Sequence, residues 1–537
     1  MSEFFFRTED IKDEEILRYF VETAEDRKIV DALKSRNPTI VIGSRGAGKS
    51  FLLRVAEAEL LATFGTQRVF PVYLSFTKGS LIHTSNRAQF QDWMLARICA
   101  RTVRGLTKAG LLVTSPTSFS ILSGGSARMD IATKTRIETI AEEFERSWQN
   151  PGMSVDTSGL PTIEKLKDAI EDLCTNLGIA RFAILVDEAA HIFSPAQQRE
   201  FFTLFRDLRS PYITCNAAVY PGVTAFGDTF QPIHDATLMP LDRDVLSSSY
   251  VANMREIVEK QADSTLLASI ARNGQNFASL AFAATGNPRV LLKTLNRASK
   301  VNNQEVNEVI REYYRADIWA EHSLLAEKYS GHRAIIDWGR HFIETEVLPE
   351  LQRKNSQYLQ SDKNTTSFFW VHRDTPEVVK QSLRLLAYTG VVREHASGIK
   401  ATRSEIGTRY LVNLGCLFAL ESAPAATSFP IASNLAPKRM SEYGANYPAY
   451  QGLLKEAPSF REPDIDELLR TQLVKSVDVL DITPWQRGRL IELGLPTLGD
   501  VLRATETKLQ EAYYVGEVRS RRMRNAAIAA VYEYLSG

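Results

Sequence analysis

Cysteine is scarce in this chain. Four residues, Cys99, Cys174, Cys215 and Cys416, stand far apart along 537 positions. No C-x-x-C pair occurs, which excludes a zinc knuckle or a dithiol redox pair, and lone thiols suit a reducing compartment. Net charge is missing too: Lys and Arg total 64, and so do Asp and Glu. That balance excludes a uniformly basic coat but leaves room for local basic patches. No apolar run approaches the roughly 18 residues that span a bilayer, so no membrane partner is expected. The opening stretch, "MSEFFFRTEDIKDEE", is acidic and lacks a cationic start followed by an apolar core, so it does not read as a signal peptide. The expected location is the cytoplasm. No nuclease, protease or deaminase constellation and no sustained internal repeat is visible.

What is present is the composition of a globular protein, 44% hydrophobic and 24% charged. At roughly 150 residues per domain, the length predicts three or four domains. Residues 10–35 read as an amphipathic helix. Apolar runs at 38–42, 68–76, 181–188 and 212–220 alternate with helical stretches, which predicts a parallel α/β sheet. Residues 115–160 read as an insertion and 250–315 as helical. Residues 421–460, rich in Pro, Ser, Ala and Tyr, read as a linker.

Between the first run and the next helix stands Gly43-Ser44-Arg45-Gly46-Ala47-Gly48-Lys49-Ser50, a full match to G-x-x-x-x-G-K-[ST]. The glycines let backbone N–H groups curl around phosphates at a helix N-terminus, where the helix dipole favours negative charge. The loop through Phe51 is therefore the candidate ATP site. Lys49 is placed to reach the β- and γ-phosphates and Ser50 to ligate Mg²⁺.

"FAILVDEAAH" (182–191) ends a buried run on two acids. A phosphate loop needs a carboxylate on a neighbouring strand tip to hold Mg²⁺, and Asp187 suits that role. Glu188 then polarises the attacking water. Neighbours on an ideal strand face opposite ways, so both can face the site only if the chain turns here. The alternative is an acidic N-cap on the helix that follows. A helicase D-E-A-H box needs one residue between Glu and His, whereas two separate Glu188 from His191. "QRGR" (486–489), which echoes a helicase arginine motif, sits in a small helical segment rather than a second ATPase-like domain.

"TGNPRVLLKTLNRA" (285–298) opens a helix with Arg289 in its first turn. Taken with the phosphate loop, the acidic pair, "NAAVYPGVT" and "HDATLMPLD", it resembles the bacterial relatives of origin-recognition-complex (ORC) ATPases in the AAA+/STAND group. The resemblance covers about residues 5–315. It implies a five-strand ASCE core under a helical lid whose arginine, Arg289, reaches the γ-phosphate. It implies a polar sensor on the strand after the acidic pair, for which Asn216 is the candidate. It implies an arginine finger completing a neighbour's site, with Arg206, Arg209 and Arg243 as candidates. ORC-type ATPases carry a winged helix after the lid, and "TPEVVKQSLRLLAYTGVVREHASGIKATR" (375–403) reads as a helix followed by a hairpin turning at Ser397-Gly398. On it Lys380 and Arg384 would face a DNA groove and Lys400 the backbone; the alternative is a protein-interaction module.

The last 60 or so residues resemble the C-terminal domain of the bacterial RNA polymerase α subunit and related helix-hairpin-helix folds, on "LGLPTLGDVLRATETKL" and "VGEVRSRRMRNAAIAAV". Gly494 and Gly516 would sit in tight hairpins aimed at DNA phosphates, beside Arg519, Arg521, Arg522 and Arg524. A docking domain with a solvated arginine face is the alternative. The expected architecture is multidomain α/β plus α. It comprises an ATPase core (1–250, insertion 115–160), a lid (251–320), a winged helix (321–420), a linker (421–465) and a helix-hairpin-helix domain (466–537). The expected function is a slow ATPase switch that uses ATP and Mg²⁺ and associates with DNA. A homo-oligomer and an effector protein encoded nearby are further expected partners, with mobile-element or anti-phage defence as a setting. The rival is a STAND-type scaffold that oligomerises on ATP and recruits a protein without DNA.

Overall fold

A computed structural model describes the chain except residues 1–3, 77–78, 80–81, 83–88, 112–115, 126–133, 148–153, 190–194, 329–331, 456–469 and 536–537. Five strands form the sheet that the alternating pattern predicts: β1 (Thr39–Ile42), β2 (Val69–Ser75), β3 (Arg181–Asp187), β4 (Ile213–Val219) and β5 (Thr237–Pro240). Their spatial order is β2-β3-β4-β1-β5, with every pairing parallel. All residues of β3 and β4 are buried, which is why both read as unbroken apolar runs. Parallel strands end on one edge, so the loop after β1 and the tip of β3 open side by side, where ligands of such sheets sit.

The expected helix over 10–35 is two pieces. Asp13–Tyr19 is a 3₁₀ turn, residues 20–23 have no regular structure, and a second helix spans Ala24–Lys34. Thr23 restarts the helix because its hydroxyl accepts the Asp26 N–H at 3.1 Å, an N-cap. Within 115–160, helices Pro116–Ser123 and Arg136–Glu145 bury Leu122, Ile137 and Phe144 against helices Gln89–Lys108 and Ile163–Leu177.

The boundary expected at 320 falls inside a continuous helical run. Helix Asn303–Glu312 passes through a π turn at Tyr313–Asp317 into helix Ile318–Lys328. One hydrophobic core joins Met254 and Ile310 to Leu386, Phe418 and Tyr450, so the helices from 250 to 328 and the following region pack as one unit. That region carries a second sheet, β7-β8-β6-β9, built from β6 (Phe368–His372), β7 (Val392–Lys400), β8 (Ile406–Val412) and β9 (Met440–Tyr443). The hairpin does not turn at Ser397-Gly398. Strand β7 runs through both residues with register shifts, and the turn lies at 401–405, closed by Ala401 N–H to Glu405 O. Gly398, at φ +70°, serves an irregularity inside the strand.

The linker expected at 421–465 is also corrected over its described part. Helix Pro424–Ser433 packs against helix Gly274–Ala283, β9 joins the second sheet, and Tyr450 and Leu453 are core residues. Its small residues let two helices approach closely. The C-terminal unit has its own core around Leu490, Leu498, Val501, Leu509 and Met523. There "QRGR" lies in helix Pro484–Glu492, with Gln486 engaged in the capping box on Thr483. His191 lies outside the described residues.

Candidate nucleotide-binding site

The glycine loop links β1 to helix Lys49–Ala62. Gly46 and Gly48 take left-handed backbone angles, φ +78° and +106°, which L side chains rarely adopt. At Gly46 a Cβ would also lie 2.7 Å from Asn287 Oδ1 and 2.8 Å from Arg289 Cβ. Lys49 is buried, and its Nζ donates to the carbonyls of Gly43 (2.8 Å) and Ser44 (3.2 Å). Burial pulls its pKa down to about 8 against the opposing pull of Glu188 and Asp187. The loop borders a cavity of about 550 Å³, of a size that small-molecule sites use.

Asp187 ends β3 and is 1% exposed. Its Oδ2 accepts the Tyr73 hydroxyl at 3.0 Å, and the Ser50 side chain stands near enough to act on its charge. Burial and the neighbouring Glu188 push its pKa up to about 6, while Ser50, Tyr73 and Lys49 hold it down. The Ser50 hydroxyl beside a buried carboxylate is a hard-oxygen pair that fits Mg²⁺, which binds through one or two such ligands plus phosphate oxygens. Glu188 turns the chain as required for both acids to face the site: it sits at φ +52°. That conformation costs a non-glycine residue about 1–3 kcal/mol and clusters at functional sites.

Arg289 stands in the first turn of helix Pro288–Arg297, which Asn287 caps by accepting the Val290 N–H. It lines the cavity, and its Nε donates to Phe6 O at 2.9 Å. Asn287 Nδ2 donates to Arg45 O at 2.6 Å, and Arg45 pairs with Glu321 at 3.1 Å. The helical region therefore rests directly on the loop.

Asn216 is not at this site. It lies beside Thr39 at the opposite end of β1, three residues or about 10 Å from the β4 tip. Its Oδ1 accepts the Thr39 N–H and its Nδ2 donates to Leu33 O, so it is a buried structural brace. The β4 tip instead presents Tyr220, whose ring lies 3.9 Å from Lys49 Nζ and whose hydroxyl donates to Glu188 at 2.8 and 3.0 Å. Tyr73, Tyr220 and the N-terminal segment also border this site, and the sequence pattern did not single them out. "FFF" at 4–6 was the available signal: Phe5, Phe6, Tyr19 and Phe20 form the apolar side of the cavity. Arg243 does not fit an arginine finger. It is buried, donates to Ala47 O at 2.6 Å and pairs with Asp26 at 3.1 Å, so it holds its own loop. Arg206 pairs with Asp207 at 2.8 Å.

The cationic candidates are dispersed. Arg384 is exposed and pairs with Glu377 at 2.7 Å; Lys380 lies 3.9 Å from the same carboxylate; Lys400 is exposed at the end of β7. In the C-terminal unit Gly494, at φ +74°, joins helices Pro484–Glu492 and Leu498–Arg503. At the second hairpin the left-handed residue is Tyr514, φ +62°, and Gly516 is not left-handed. The arginines diverge: Arg519 donates to Tyr514 O, Arg521 is exposed, Arg524 lies 3.7 Å from Glu506, and Arg522 faces the N-terminal segment at Phe4 O, 3.4 Å. Asn525 and Ile528 of the same helix line the nucleotide cavity.

A family profile described as ORC-CDC6-like matches residues 4–78, which include the N-terminal segment, the glycine loop and β2. No curated protein matches the chain. Among solved structures, the chain is similar to the Aeropyrum pernix ORC1 protein in complex with DNA, at 13% identity and a TM-score of 0.33, covering 75% of this chain and 93% of that one. It is also similar to the Aeropyrum pernix ORC2 protein in ADPNP–ADP complexes, at 10% identity and a TM-score of 0.30, covering 76% and 91%.

Proposed function

We propose that the chain is an ORC-like AAA+ ATPase that works as a DNA-associated switch. The observation that carries this reading is the convergence of Lys49, Ser50, Asp187 and Glu188 on one edge of a parallel sheet, with the Ser50 side chain beside Asp187. The ORC-CDC6-like profile on residues 4–78 supports it. Phosphates lie on the loop amides and Lys49; Ser50 and Asp187 hold Mg²⁺. The metal, when bound, supplies charge neutralisation at the phosphate oxygens. Glu188 takes a proton from water as the water oxygen bonds phosphorus and the bond to the ADP oxygen breaks. Arg289, carried by the helical region, neutralises charge on the transferring group.

Because helices 250–328 and the second sheet share one core, nucleotide held by Arg289 biases that whole unit. Region 321–420 serves as the winged-helix part and 466–537 as the helix-hairpin-helix part. Lys380, Arg384, Lys400, Arg519 and Arg521 meet phosphates, and Gly494 and the Tyr514–Gly516 turn present the hairpins. A second reading, a scaffold that recruits a protein, is favoured by one observation. The C-terminal unit exposes Val474, Val479, Tyr513, Tyr514 and Val518, each more than half accessible. The test is equilibrium binding of a fluorescent ATP analogue with Mg²⁺, together with duplex DNA retention across a salt series. K49A loses the nucleotide, and wild type shows steeply salt-dependent retention. Tight binding by K49A ends the ATPase reading; protein capture with no DNA retention favours the scaffold.

A further inference from the structure

Tyr220 lies where three groups meet. Its hydroxyl donates to both carboxylate oxygens of Glu188 (2.8 and 3.0 Å), and its ring carries Lys49 Nζ at 3.9 Å. On another side Tyr388 meets the ring edge-on, with centroids 5.5 Å apart and planes at 80°. Both rings are almost completely buried. Tyr388 ends helix Glu377–Tyr388, the helix that bears Lys380 and Arg384. The chain just beyond Tyr220 touches that helix again. Gly222, at φ +77°, lies so close that a Cβ there would sit 3.0 Å from Arg384 O and 3.1 Å from Arg384 Cα. The strand tip beside the acidic pair is thus seated on the 377–388 helix at two points.

A hydroxyl donated to both oxygens of Glu188 engages the lone pairs that must receive the proton of water. We propose that Tyr220 is a positioning residue that restrains Glu188 in this state. Movement of the 377–388 helix, transmitted through Tyr388 and the Gly222 contact, releases it. The inference rests on the reading above, in which Glu188 activates water and this helix meets DNA. It adds the link that makes hydrolysis respond to that contact.

Steady-state ATP hydrolysis by the full chain, with and without duplex DNA, tests it. Y220F removes the hydroxyl and keeps the ring on Lys49 and Tyr388. Its kcat without DNA rises about tenfold, the rate equivalent of one hydrogen bond to a charged group. KM for ATP moves less than about twofold, and the rate no longer responds to DNA. Y220F combined with E188Q stays as slow as E188Q alone, which places the effect on Glu188. Y388L loses the DNA response; Y388F, which keeps the ring contact, retains it. A Y220F rate at or below wild type overturns the restraint. A Y220F or Y388L enzyme with the full DNA response overturns the coupling. If DNA leaves the wild-type rate unchanged, the DNA reading falls and the coupling falls with it, while the Y220F rate in ATP alone still decides the restraint.

Discussion

Replacing Arg243 with alanine removes the anchor of the glycine loop from below. The guanidinium is 8% exposed and faces Asp26, which is 3% exposed, at 3.1 Å, with a further hydrogen bond to Ala47 O. Breaking a buried ion pair by deleting one partner costs about 3–5 kcal/mol, because the other charge stays buried alone. The hydrogen bond to Ala47 adds about 1 kcal/mol. With a few degrees of melting temperature per kcal/mol in domains of this size, the apparent Tm falls by about 10 °C. The assay is thermal unfolding at a fixed scan rate, followed by ATP-analogue titration at 20 °C. Replacing both partners (D26L with R243M) restores most of the Tm, since removing a whole buried pair is close to neutral. Nucleotide affinity stays low, because the loop still lacks its anchor at Ala47. An R243A protein that melts within about 2 °C of wild type, or a double variant no more stable than the single one, refutes this reasoning.

Four further outcomes follow from the same geometry. Mg²⁺–nucleotide affinity peaks between about pH 6 and pH 8: Asp187 must be ionised and Lys49 protonated, so affinity falls below the first value and above the second, as a titration across pH 5–9 reads. In the nucleotide-free protein the raised Asp187 pKa favours the folded state in acid, and that benefit is lost as pH rises through about 6. D187N is therefore more stable than wild type at pH 8 and loses its advantage below the ordinary aspartate range, measurable by denaturant melts. N216A loses about 2–3 kcal/mol of stability by orphaning Thr39 N–H and Leu33 O, yet keeps its kcat within about twofold, against the large kcat loss a sensor residue would show. G46A forces a Cβ onto Asn287 and Arg289 at φ +78°, so nucleotide binding disappears while the far-UV spectrum is retained.

The glycine loop and the acidic pair were legible because their chemistry is local: eight consecutive residues, and a run of apolar residues that stops on two acids. The turn needed to aim both acids at the site is visible in the structure as the left-handed Glu188. Asn216 misled because polarity marks a strand residue but not its distance from the tip. Register places it beside Thr39, and the tip residue is Tyr220, an aromatic that a search for polar strand residues passes over. The 421–460 stretch misled for a different reason. Ala, Ser and Pro read as solvated linker, yet Ala425, Ser428 and Ala432 are small enough to bring one helix onto the Ala-rich 274–283 helix. The split arginine cluster at 519–524 lies beyond what composition reveals. Helix rotation sends Arg522 toward the N-terminal segment and leaves Arg521 exposed.

The account turns on whether ATP turnover answers to DNA. The direct measurement is the steady-state ATPase rate of wild type and E188Q, each with no DNA, with single-stranded DNA and with duplex DNA. Wild-type turnover is expected to be slow and to rise on DNA, and the E188Q enzyme to bind ATP but stay inactive under every condition. Equal rates with and without DNA, or an E188Q enzyme as fast as wild type, would contradict it.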